Sequence, residues 1–136
     1  MTGARFGLRT AAMLVLAWVW IGLGAGAFLE VPTPQPGAFH LLLSSDVRGG
    51  AWIATALIAI ATAWSRRGSP VGLAALFLMP GLYLASYSLS WVLYVLPGGS
   101  AGYPNGWYPA YLFLGLAAFV MIIAFIPARP ARQARR

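Results

Sequence analysis

The chain has 136 residues, 60% of them hydrophobic and only 8% charged, whereas soluble domains are about 25% charged. So short a chain cannot hide that much apolar surface in one water-surrounded core, so an ordinary soluble domain is excluded and lipid is the consistent solvent. The nine basic residues against two acidic ones are all arginines flanking apolar runs, not a stripe on a folded domain, so nucleic-acid binding is not expected. With no cysteine, disulfides, thiolate metal sites and thiol nucleophiles are excluded. A single histidine, His40, is too few for bis-His haem or a multi-His zinc site; no metal or cofactor is expected.

Four apolar runs follow in chain order, and each must be helical, because backbone groups in lipid bond within their own segment and the alternation of a barrel strand is absent. The first, Thr10–Leu29, follows Arg5 and Arg9 and has the roughly 20 residues that a crossing needs. Ala25-Gly26-Ala27 near its end resembles a signal-peptide cleavage site; the run continues to Phe28-Leu29, which favours an uncleaved anchor. The outer segment 30–46 then carries proline at every second position from Pro32 to Pro36, an extended conformation, followed by the apolar patch Phe39–Leu43. Ser44-Ser45-Asp46 reads as a helix N-cap.

The second run, Gly50–Trp64, reaches spanning length when counted from Val47, giving a helix over 47–64. Arg66 and Arg67 fill the short turn that follows. The third run, Val71–Leu96, is long enough to tilt, and Pro80-Gly81 should bend it. The second outer loop, 97–107, has no charge. The fourth run, Tyr108–Ile126, starts with Pro109 in its first turn, where proline is tolerated. A basic tail from Arg129 to Arg136 should attract anionic headgroups.

Eight arginines fall on one side of a chain that crosses four times, and only Arg48 falls on the other, with Glu30, Asp46 and His40. The positive-inside rule therefore predicts an all-α bundle of about four transmembrane helices, a single domain over 1–136, in the cytoplasmic membrane with both termini cytoplasmic. Trp52, Trp64, Trp107 and Tyr108 sit near predicted boundaries, where amphipathic rings anchor. Asp46 and Arg48 read as a surface pair at a helix start, with Glu30 in reach.

No run carries an ionisable residue in its interior, which argues against a proton-coupled carrier. The third helix is the most polar: Tyr83, Ser86, Tyr87, Ser90 and Tyr94 recur at helical spacing. That face either lines a polar path or hydrogen-bonds between helices, and the second reading is favoured. Gly22 and Gly26 on the first helix, and Ala51, Thr55, Ala59 and Ala63 on the second, are small residues that allow close helix approach or self-association; Ala110, Ala117 and Ala124 repeat along the fourth. There is no Walker loop, dinucleotide fingerprint, HExxH or nucleophile elbow. Ser44 and Ser45 near His40 and Asp46 have the residue types of a hydrolase triad but no triad geometry, so no catalytic site is expected.

The stretch Asp46-Val47-Arg48-Gly49-Gly50-Ala51-Trp52-Ile53-Ala54-Thr55, with Ser86-Tyr87-Ser88-Leu89-Ser90-Trp91 and the loop from Pro97-Gly98 to Gly106-Trp107, resembles small four-pass membrane proteins of actinobacterial phages, some of them called holins. The resemblance spans roughly the last two thirds of the chain and brings no catalytic residues. It implies a membrane-permeabilising protein that oligomerises through its small-residue faces. The alternative is a non-enzymatic accessory or scaffold protein whose partners are lipid and either another copy or another membrane protein. The topology is tested by access from outside: tags on either terminus should be protected in intact cells, while a label at Ser100→Cys should react with a membrane-impermeant thiol reagent.

Overall fold

The computed structural model describes residues 7–29, 44–65, 69–96 and 102–126. These form four α-helices and no strand: α1 (Leu8–Leu29), α2 (Ser45–Thr62), α3 (Ser69–Val95) and α4 (Trp107–Phe125). The proline-rich outer segment, His40, Glu30, the Arg66-Arg67 turn and the basic tail lie outside the described residues.

Three helices, α1, α3 and α4, are long and apolar enough to cross a membrane. The sequence reading expected four crossings, and α2 differs for a compositional reason. Its first two turns hold Ser45, Asp46, Arg48 and the Gly49-Gly50 pair, which dilute an 18-residue helix. The helix nevertheless packs lengthwise against both α1 and α3. It starts as the serines suggested, with Ser44 Oγ accepting a hydrogen bond from the Val47 backbone N–H, which satisfies one of the free donors of the first turn.

Neighbouring helices run antiparallel. Thr10 at the start of α1 donates to the carbonyl of Ala63, just past the end of α2, and Gly24 near the end of α1 faces Gly49 near the start of α2. Ser69 at the start of α3 donates to Met13 Sδ, so α3 runs parallel to α1. Tyr83 and Tyr87 of α3 meet Phe113 early in α4, so α4 returns alongside α3. In this up-down-up-down order helices consecutive in the chain pack side by side, and it brings the start of α1 and the end of α4 to the same end of the bundle.

The core lies between these helices. Met13, Ala17 and Trp20 of α1, Ala56 and Ala59 of α2, Leu76 and Met79 of α3, and Val120 and Ile123 of α4 are buried in one cluster. Much of the remaining apolar surface faces outward, including Val15 and Trp18 on α1 and Ile122 and Phe125 on α4. The last turns of α3, from Trp91 to Leu96, are exposed along much of their surface, with Gly102 and Gly106 packed against Tyr94 and Trp91.

Pro80 lies inside α3. A proline there has no N–H for the carbonyl four residues back, and its ring pushes that carbonyl aside. The carbonyl is that of Leu76, and the indole Nε1–H of Trp20 donates to it from α1 at 3.2 Å in a buried bond. A neighbouring helix thus replaces the donor that the proline removes, one of the ways apolar surroundings tolerate proline in a helix.

Close approach of α1 and α2 depends on a glycine pair. A Cβ on Gly24 would sit 2.7 Å from Ile53 Cγ1 and 2.8 Å from the Gly49 carbonyl oxygen. By contrast, a Cβ on Gly22 would meet nothing within 4 Å. Gly24→Ala should therefore force the helices apart and cost about 1–3 kcal/mol, the usual penalty for overpacking. Gly22→Ala should be neutral or stabilise by up to about 1 kcal/mol, as helix propensity dictates. Thermal unfolding of the two variants in the same detergent checks the contrast.

Candidate functional site: an aromatic chain through the bundle

The polar face of α3 packs into a run of rings that joins all four helices. Trp20 of α1 meets Trp52 of α2 edge-on, with centroids 5.2 Å apart and planes at 82°. Trp52 contacts Tyr83 of α3 at 5.7 Å. Tyr83 stacks on Phe113 of α4 at 4.8 Å, and Tyr87 lies nearly parallel to the same ring, at 5.9 Å and 8°. Tyr83 and Tyr87 reach one another and Phe113 because residues four apart share a helix face. Offset and edge-on contacts of this kind add about 0.5–1.5 kcal/mol each beyond the area they bury.

The residues singled out from the sequence fall in different places. Tyr83 and Ser90 are buried, Ser86 and Tyr87 are half-buried, and Tyr94 is exposed. The backbone carbonyl of Ser90 also accepts a hydrogen bond from the N–H of Tyr103, which ties the residues just before α4 onto α3. Gly102 makes this possible, since a Cβ there would collide with the Ser90 carbonyl and the Tyr94 backbone. Gly106 faces the Tyr87 carbonyl in the same way, so α4 begins level with the middle of the polar face.

On α1, Gly22 and Gly26 point outward with open space around them, and Gly24, between them, makes the close contact with α2. On α2, Ala59 is buried against Gly72 of α3, Thr55 is buried with its hydroxyl donating to the Trp52 carbonyl, and Ala51 packs at the edge of the core.

Two residues depart from the sequence reading. Trp52, expected as an interfacial anchor, is 4% exposed and sits in the core; the other three expected anchors, Trp64, Trp107 and Tyr108, are exposed. Trp52 lies one turn after Arg48 and one turn before Ala56, and all three are buried on the face of α2 that meets its neighbours. Arg48, expected in a surface pair, is 8% exposed, while Asp46 is exposed. Arg48 follows the same stripe inward, next to Gly49, which abuts Phe28 of α1. Sequence reasoning also missed Trp20 and Phe113 as members of the ring chain. The available signal was the position of Trp20 in the middle of an uncharged run, far from either boundary where an anchoring indole belongs.

Fold and site together define a class: a small, antiparallel, all-α bundle with an aromatic core and three helices suited to a membrane-embedded protein. Comparison with family models, with curated proteins and with solved structures gives no match for the chain. Within the class, Phe113 carries two ring contacts and should matter accordingly. Phe113→Ala is expected to cost at least about 2 kcal/mol and to separate α4 from α3, read as a lower unfolding midpoint and faster proteolysis in the connection between α3 and α4. Phe113→Tyr should stay close to the parent.

Proposed function

We propose that the chain is a non-enzymatic integral membrane protein with both termini cytoplasmic, acting as an accessory or scaffold subunit that lends its outward helix faces to another protein in the same membrane. The observation that carries this reading is the fate of the hydroxyl-bearing face of α3. Tyr83 and Ser90 are buried within the chain and Tyr87 is held against Phe113, so the middle of that face is used in packing one copy, and only Tyr94 at its end is exposed. What the bundle presents outward along α1 and α4 is mainly apolar, with Val15, Trp18, Leu112, Ile122 and Phe125 exposed. Such a surface suits lipid and apolar helix partners, whose association rests on close packing, and it gives little to water or ions.

The competing holin-like reading requires copies to assemble around an aqueous opening, with a polar face turned outward to line it. Purification from native membranes in mild detergent, paired with strong expression in the same host, separates the two. A partner membrane protein is expected to co-purify in a fixed ratio, and the membrane potential to persist during expression. Recovery of the chain alone, together with collapse of the potential, would overturn the scaffold reading in favour of the permeabilising one.

A further inference from the structure

We propose that Arg9 is a phospholipid site: at the end of the bundle where α1 starts and α2 ends, its guanidinium grips the phosphate of one anionic headgroup. Arg9 lies one turn before Met13 on the same face of α1, and Met13 is fully buried against Ser69 and Gly72 of α3. The stem of Arg9 therefore follows the inward stripe of the helix, and its Nε is buried with no hydrogen-bond partner among the described residues. The residue as a whole is half-buried, so part of the side chain stays open to the surroundings. Its polar neighbours bond elsewhere: Thr10 donates to the Ala63 carbonyl and Ser69 to Met13 Sδ.

The chain offers this charge no carboxylate side chain within reach. Its two acidic residues are Asp46, in the first turn of α2, and Glu30, which follows the last residue of α1. Arg9 is level with the opposite ends of both helices, since Thr10 beside it bonds Ala63. The 18 residues of α2 span about 27 Å, well beyond a screening length of roughly 8 Å. A partly buried cation without a counter-charge is costly, and the depth of Arg9 identifies the anion that suits it. Helix α1, with 22 residues, is about 33 Å long, against a hydrocarbon layer of about 30 Å. Its first turn thus lies at headgroup level, as does the exposed ring of Trp64, where an indole anchors. Phosphate is the group there that a guanidinium fork holds by two parallel hydrogen bonds. A net-negative headgroup is preferred to a zwitterionic one, because Arg5, Arg66 and Arg67, the charged residues next to these helix ends in the chain, are cations as well.

The proposal rests on the bundle being embedded in a bilayer and not on any partner protein; a chain that stays dispersed without detergent would sink that embedding first. The test uses the full chain in nanodiscs of phosphatidylcholine, with and without phosphatidylglycerol. The parent should unfold at a higher temperature when phosphatidylglycerol is present, and the rise should persist at high salt, which screens exposed charges. Arg9→Lys keeps the charge and loses the planar fork, so its affinity for phosphatidylglycerol, read by native mass spectrometry, should fall about tenfold, the value of one charge-assisted hydrogen bond. Arg5→Lys, the same exchange at a neighbouring arginine, should leave the affinity unchanged. Diffuse attraction to a basic end depends on charge alone, so no loss in Arg9→Lys, or an equal loss in both variants, would overturn the site. Should Arg9→Lys fail to fold, the parent decides: a rise that vanishes at high salt, or no rise, overturns it. Inorganic phosphate added to the protein in neutral detergent should not reproduce the stabilisation. An equal rise with phosphate, lost in Arg9→Lys, would assign Arg9 to a soluble anion and overturn the lipid.

Discussion

Apolar surroundings offer a backbone carbonyl no donor, and that constraint governs this fold most tightly at Leu76. Elsewhere in the described helices the i to i−4 ladder satisfies the backbone locally. At Pro80 it cannot, and the solution comes from a residue 56 positions distant in the chain, the indole of Trp20. That bond, with the contacts of Ser69 and Gly72 to Met13, sets the depth of α1 against α3. Once this depth is set, Trp20 meets Trp52, Trp52 meets Tyr83 and Tyr83 meets Phe113. The rings from α1 to α4 thus lie at the same level of the bundle as the bond to the Leu76 carbonyl.

Close packing of the remaining contacts follows from residue size. Where two helices lie in lipid, apolar burial gives no net drive, because lipid tails are as apolar as leucine, and association rests on contact quality. The Gly24–Gly49 approach and the Gly72–Ala59 approach are of this kind. Hydroxyls are largely occupied locally: Thr55 donates to the carbonyl of Trp52 and Thr62 to that of Ile58 within their own helix. The bundle is therefore held by rings and small residues, with side-chain hydrogen bonds placed at a helix start and at the proline.

Helix number, type and approximate ends were legible in the sequence because long uncharged runs and clustered arginines have few other physical readings. The cap at Ser44 was legible for the same local reason. Individual facing was not. Gly22 and Gly26 match a helix-packing spacing, yet the residue that touches α2 is Gly24, and only the rotation of α1 about its axis distinguishes them. A chain with Gly at 22, 24 and 26 offers no periodic clue to that rotation. Trp52 and Arg48 looked like boundary residues by their distance along the chain. They are buried because α2 lies in the groove between α1 and α3, a tertiary fact that spacing in one helix does not encode. The partnership of Trp20 with Leu76 was likewise hidden, although Pro80 announced that some carbonyl would be left wanting.

The exposed end of α3 has a consequence for where the protein can reside. At 27 residues the helix is about 40 Å long, while α4 at 19 residues is about 28 Å and a hydrocarbon layer is about 30 Å thick. One molecule thus contains both a well-matched span and an oversized one, whose excess, Trp91 to Leu96, is apolar or aromatic throughout. A bilayer meets such a mismatch by local thickening or by letting the long helix lean. With α3 bound lengthwise to α4, leaning by one requires leaning by the other, so thickening on one flank is the easier response. The molecule should therefore gather in thicker, more ordered patches of membrane and deform thin ones asymmetrically around itself.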